Sequence, residues 1–232
     1  MPAVNYTADI IMALADGDAA ASAVRTTTCK EAEAQSTNVA MPQLSYFNGP
    51  ISNVRPLPGS MRLVGLWHLI TGRGPDGGSG YPQLRRQVEA LRAAPKHEQD
   101  RLKRALDYVT PAGTFAPTRA NAHLQEASRL LVLDFDDLPD VAAARELLFA
   151  DSMLGPEIAL LFISPSGTGL KAFLRLDPAY DYAENFDAVA TYLTHYYAGL
   201  QVALDAKCRD VSRACFLSFD PDAYLHPDYR ID

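Results

Sequence analysis

No apolar run in the 232 residues approaches the roughly 20 that a membrane span requires, and the N-terminus has neither the basic start nor the apolar stretch of a secretory signal. A soluble, cytoplasmic protein without a membrane partner is expected. Cysteine is scarce too: Cys29, Cys208 and Cys215 are too few and too irregularly spaced for a disulfide framework or a structural zinc site, which fits a reducing compartment. Positive charge is in deficit overall. With 21 Lys and Arg against 28 Asp and Glu, the formal net charge is -7. That excludes a protein that coats nucleic acid through a wholly basic surface, so any contact with nucleic acid has to be local.

What is present is enough apolar material, 48% of residues, to bury one good core. Residues 1–43 are rich in Ala, Thr and Ser, with one short helical stretch around Ala8 to Ala21, and read as a weakly ordered extension. Thr71 to Gly80 holds five glycines and a proline and reads as a loop or linker. Residues 44–128, which include this loop, form a helical and basic N-terminal part ahead of residues 129–232. Leu84, Val88 and Leu91, then Leu102 and Leu106, have helical spacing, which predicts two short helices broken near Pro95. Tyr81 to Arg104 carries seven basic residues against three acidic ones, a local net charge of +4. Such a stretch is either a surface for backbone phosphates or a solvated helix face laced with ion pairs.

Residues 129–232 hold the chemistry. Arg129 to Phe135 and Glu157 to Ile163 are short apolar runs that predict buried strands, with Asp140 as the N-cap of a helix from Val141 to Ala150 between them. Leu170 to Leu176 alternates like a strand, Asp181 opens a helix reaching Leu200, and Arg213 to Phe219 is a last strand candidate. The order implies an α+β fold with a largely antiparallel central sheet flanked by helices. On the first strand Asp134 and Asp136 share a face, with Cα atoms about 6.5 to 7 Å apart. Two carboxylates at that spacing suit hard divalent cations. Asp137 and Asp140 fit ordinary turn and cap roles. The segment Ser164-Pro-Ser-Gly-Thr-Gly-Leu-Lys171 has glycines that let backbone approach a phosphate and a cation to neutralise it, although a tight hairpin turn would account for the glycines alone. Asp205 follows an apolar residue, and Arg213 at the start of a buried strand needs an anionic partner. His68, His97, His123, His195 and His226 read as ordinary surface or helix-face residues.

In this order the motifs Leu131-Val-Leu-Asp-Phe-Asp-Asp137, Ser164-Pro-Ser-Gly-Thr-Gly-Leu-Lys171, Leu204-Asp205 and Ser212-Arg-Ala-Cys-Phe-Leu-Ser-Phe-Asp-Pro221 resemble the archaeo-eukaryotic primase superfamily, the primase-polymerases. The closer resemblance is to the branch found as the N-terminal domain of virulence-associated protein E-like replication proteins of phages and mobile elements. It covers residues 44 to 230 and implies an RRM-like catalytic core and template-directed nucleotidyl transfer.

Asp134, Asp136 and Asp205 would then hold two Mg²⁺ or Mn²⁺ ions. Ser164, Ser166, Gly167, Gly169 and Lys171 would hold a nucleoside triphosphate, helped by Arg213 and Arg119. Arg85, Arg86, Arg101, Lys103 and Arg104 would contact a single-stranded or primed DNA template, and a helicase domain or subunit is the expected partner. Lys171 stands where the superfamily usually has His. Two alternatives carry different expectations: a non-catalytic DNA-binding or origin-recognition module serving a helicase, and a haloacid-dehalogenase-like phosphatase in which Asp134 is the nucleophile. Against the phosphatase stand the mid-chain position of the motif and Leu138 in place of the usual Thr.

Overall fold

The computed structural model describes residues 40–74, 78 and 80–230. Almost all of the N-terminal extension, including the Ala8 to Ala21 stretch, and part of the glycine-rich loop lie outside the described residues. The architecture is α+β, and every strand pairing is antiparallel.

The part nearest the N-terminus contains β1 (Gln43–Phe47), β2 (Met61–Arg62), α1 (Leu63–Thr71), α2 (Pro82–Ala93), α3 (Lys96–Lys103), β3 (Tyr108–Thr110), β4 (Gly113–Phe115) and β5 (Leu124–Ala127). The helices broken near Pro95 are there as expected, but residues 44–128 are not mainly helical. Strands β2-β1-β3, joined by β9 (Cys215–Phe216) from the far end of the chain, make one four-stranded sheet, and β4 and β5 make a separate ribbon.

The second four-stranded sheet carries the motifs. Its order is β10-β7-β8-β6, from β6 (Leu130–Phe135), β7 (Ile158–Ile163), β8 (Leu170–Arg175) and β10 (Tyr224–Leu225). All six residues of β6 are buried, so its Leu-Leu-Val-Leu run is continuous because both faces are covered. Two helices pack around this sheet where the caps place them. For α4 (Val141–Ala150), the Asp140 carboxylate accepts from the Ala143 N–H at 2.9 Å. For α5 (Tyr182–Tyr196), Asp181 and Glu184 form a reciprocal capping box, and Phe186, Val189 and Leu193 are buried. The helical stretch breaks at Tyr197, and a short α6 (Ala198–Ala203) follows. One continuous apolar core joins both sheets and the helices.

Two expectations are corrected. The strand expected over Arg213 to Phe219 is only two residues long, and Arg213 belongs to the turn before it, its N–H bonded to the Asp210 carbonyl. The expected helix from Asp181 to Leu200 is two helices rather than one.

Candidate metal centre and its cationic surround

The register of β6 against β8 sets the site: Asp134 lies directly opposite Lys171, and Phe135 opposite Leu170. That register follows from the hairpin between β7 and β8. The Ser164 N–H bonds to the Gly169 carbonyl at 2.8 Å, and the Gly167 N–H to the Ser164 carbonyl at 3.0 Å. Gly167 has φ +81°, the left-handed region that favours glycine. Gly169 lies so close to β6 that a Cβ there would sit 2.2 Å from the Phe135 carbonyl oxygen. The hairpin thus abuts the end of β6, and the Leu138 N–H bonds to the Thr168 carbonyl at 2.8 Å.

Asp205 arrives from the other edge of β6. After α6 the chain runs antiparallel to β6 for a single bridge, Phe135 to Leu204. The Asp136 N–H bonds to the Ala203 carbonyl at 2.9 Å and the Asp205 N–H to the Asp134 carbonyl at 2.8 Å. Ligand atoms of Asp134, Asp136 and Asp205 then lie within 4.8 Å of one another, so these three carboxylates can hold a metal ion. The donor set is all oxygen, as hard cations prefer. Asp134 is 5% exposed, and its Oδ1 has no hydrogen-bond partner among the described residues. A buried carboxylate oxygen left without a donor is costly unless a cation meets it.

Each acid already faces a cation. The Lys171 ammonium is hydrogen-bonded to Asp134 Oδ2, Lys103 Nζ lies 3.9 Å from Asp136 Oδ1, and the Arg213 guanidinium donates to Asp205 Oδ2. Burial pulls the Lys171 pKa down, but its neighbours together, the Asp134 charge foremost, hold the ammonium above its ordinary value. Burial likewise lowers the Arg213 pKa, and its neighbours together, the Asp205 charge first among them, raise it above its ordinary value. Burial, then the Asp134 charge, push the Asp136 carboxyl up, against the pull of Lys103. Cys208 and Cys215 are buried, and desolvation pushes their thiols up to about 12 and about 11.

Lys171, expected to hold a nucleoside triphosphate, is buried against Asp134. It is 1% exposed and serves Asp134 as an internal counter-charge. The hydroxyls of Ser164, Ser166 and Thr168 form a chain at 3.0 and 3.1 Å, with Ser164 fully buried.

Arg119 and Arg213 do come together. With Lys207, Arg209, Asp181 and Tyr182 they line a cavity of about 750 Å³. Arg119 lies 5.4 Å over the Tyr108 ring and donates to the Ser212 carbonyl at 2.8 Å.

The basic stretch divides. Lys103 joins the acids, and Lys96 reaches Asp137 at 3.4 Å. Arg85 pairs with Glu89 at 2.8 Å and covers the Phe219 ring, while Arg86, Arg101 and Arg104 are exposed. Sequence reasoning assigned no site role to Arg92, yet this residue holds the hairpin in place. Its guanidinium donates to the carbonyls of Ser164 (3.1 Å), Pro165 (3.2 Å) and Phe219 (3.0 Å). Nothing in its helical neighbourhood separates it from the other arginines, because all four of its acceptors come from distant segments.

No curated protein and no solved structure matches the chain. A family model described as BT4734-like, N-terminal domain, matches residues 101–225. That span takes in Lys103, all three clustered acids, Lys171 and all three cavity arginines, and leaves out α2. Covering more than half of the sequence, the match shows that this chain belongs to the BT4734-like N-terminal domain family.

Proposed function

We propose that this chain is a metal-dependent nucleotidyl-transferring domain of the primase-polymerase type, acting in replication of a phage or mobile element. The observation that carries the reading is the junction of an all-carboxylate metal centre with a basic cavity, joined through Arg213. Asp134, Asp136 and Asp205 would hold Mg²⁺ or Mn²⁺, which when bound supplies charge neutralisation at the reacting phosphate and activation of the attacking hydroxyl.

The chain's own residues do the positioning. Arg119, Arg213 and Lys207 line a cavity large enough for a nucleoside triphosphate and carry charge suited to its phosphates. Lys171 holds Asp134 in place through their hydrogen bond. Arg101 and Arg104, exposed at the end of α3 beside the acids, offer contacts to the backbone of a DNA template. Charge reversal at Arg101, Lys103 and Arg104 should weaken template affinity and flatten its salt dependence. An unchanged salt slope would remove that assignment.

The test of the reading is primer synthesis or extension on single-stranded DNA with Mn²⁺, comparing the wild type with the Asp134→Ala, Asp136→Ala double variant. Metal-dependent incorporation by the wild type alone is expected. Its absence from the wild type sinks the polymerase reading.

One observation favours a second reading, a non-catalytic DNA-binding module for a helicase: Asp134 already has a counter-charge in Lys171, so the acids are compensated without metal. The same assay, paired with template binding, separates the two. The phosphatase alternative loses ground to the all-antiparallel pairing of the sheet that carries Asp134.

A further inference from the structure

The three acid-cation pairs come from three different elements and differ in kind. Lys171, on β8, is sealed between strands, with its side chain 2% exposed. Lys103, at the end of α3, and Arg213, in the turn before β9, have side chains 24% and 31% exposed. Lys103 is held only loosely, at 3.9 Å from Asp136 and beyond hydrogen-bond reach. Helix α3 buries none of its own residues, so withdrawal of the Lys103 side chain disturbs no core packing. Arg213 has an exit of its own, because its side chain also lines the 750 Å³ cavity beside Arg119. A divalent cation seated among the three carboxylates would repel both groups at short range. Lys171 has no room to respond, whereas the other two do.

We propose that Lys103 and Arg213 are resident counter-charges which a divalent cation displaces from Asp136 and Asp205, and which then bind the phosphate groups of an anionic ligand at the same centre. Metal and polyphosphate consequently bind with positive coupling, each raising the affinity for the other. Metal-free, the centre is balanced at three charges of each sign and holds no surplus for an anion. Metal-loaded, it presents two freed cations, of which Arg213 lines the cavity. The inference rests on the metal-site half of the proposed function and specifies how that site is regulated.

The test uses Mn²⁺ alone and inorganic tripolyphosphate with the full chain. Binding of Mn²⁺ is followed by loss of the free-ion electron paramagnetic resonance signal, for the wild type, Lys103→Gln and Lys103→Arg. Removing the competing ammonium should tighten Mn²⁺ binding about two- to fivefold, the range expected for a part-exposed ion pair. The same substitution should weaken tripolyphosphate binding to the Mn²⁺-saturated chain by a similar factor, and Lys103→Arg should track the wild type in both. This opposite movement of the two affinities is not produced by a merely structural role.

Mn²⁺ affinity that is unchanged or lowered in Lys103→Gln overturns the inference, even if the wild type incorporates nucleotides. Opposite movement without incorporation by the wild type supports the inference and removes the polymerase reading. Failure of the wild type to bind Mn²⁺ overturns both.

Discussion

Replacing Lys171 with Met puts the buried pair under the most direct test. Methionine keeps an unbranched chain of similar length and removes the ammonium. Asp134, 5% exposed and with its Oδ1 lacking any hydrogen-bond partner among the described residues, would then hold an uncompensated charge in the sheet. Breaking a buried pair by deleting one partner costs about 3–5 kcal/mol, a large share of the roughly 5–15 kcal/mol that holds a domain folded. At about 2–4 °C per kcal/mol for a chain of this size, Tm should fall by roughly 6 to 20 °C.

Urea unfolding with a chelator present measures the loss, and two controls give it meaning. The double variant Asp134→Leu, Lys171→Met should recover most of the lost stability, since exchanging both charges for apolar groups is about neutral. Added Mn²⁺ should raise the midpoint of Lys171→Met more than that of the wild type, because the metal restores the missing counter-charge. The Lys171 ammonium is held above its ordinary value by its neighbours, the Asp134 charge foremost. Its contribution is therefore complete below about pH 10.4 and is lost only as pH rises through the raised value, so the gap between wild type and variant should stay flat from about pH 7 to 9. A metal-free Lys171→Met chain as stable as the wild type, or a double variant no better than the single, would refute the assignment of Lys171 as an internal counter-ion.

Three further outcomes follow from the same geometry. Burial and the Asp134 charge raise the Asp136 carboxyl, so its ionisation is a stability penalty that is absent at low pH and sets in as pH rises through the raised folded value. Asp136→Asn should therefore stabilise the metal-free chain at neutral pH, by under about 1 kcal/mol because the group is half exposed, while Mn²⁺ binding weakens; urea melts with and without metal show both. Gly169→Ala would place a Cβ 2.2 Å from the Phe135 carbonyl oxygen. It should cost about 1–3 kcal/mol and, by displacing the end of β6, loosen Mn²⁺ binding as well. Arg92→Lys gives up the planar fork that reaches three carbonyls and the Ser218 hydroxyl. Stability should fall by about 1–3 kcal/mol, and the hairpin amides of Gly167 and Leu138 should exchange faster by hydrogen-deuterium exchange.

Where the chain could be read in advance, the physics was local. Asp140 and Asp181 announce α4 and α5 because a cap acts within three residues. Asp134 and Asp136 share a face because a strand alternates with period two. Strands β1 and β3 went unread for the converse reason: three to five residues carry no usable period, and their pairing is set by partners far along the chain, down to β9. Asp205 was legible only as part of an ordered set of motifs, since one bridge between Phe135 and Leu204 brings it in, and a single bridge leaves no pattern in the sequence.

Lys171 shows where local reading fails. Alternation placed it on the same face as Phe173 and Arg175, and a cation after a glycine turn resembles a phosphate contact. Which residue stands opposite is decided by the pairing of β8 with β6, a strand distant in sequence, and the answer is Asp134. The part-exposed cations beside the acids are Lys103, from a stretch open to either a phosphate surface or a solvated helix face, and Arg213, expected to open a buried strand. Residue type therefore picked out the three acids that the fold brings together, a set that could hold a metal ion. The assignment of the cations required register and burial, because a lysine that neutralises a carboxylate and one that binds a phosphate are the same residue under different neighbours.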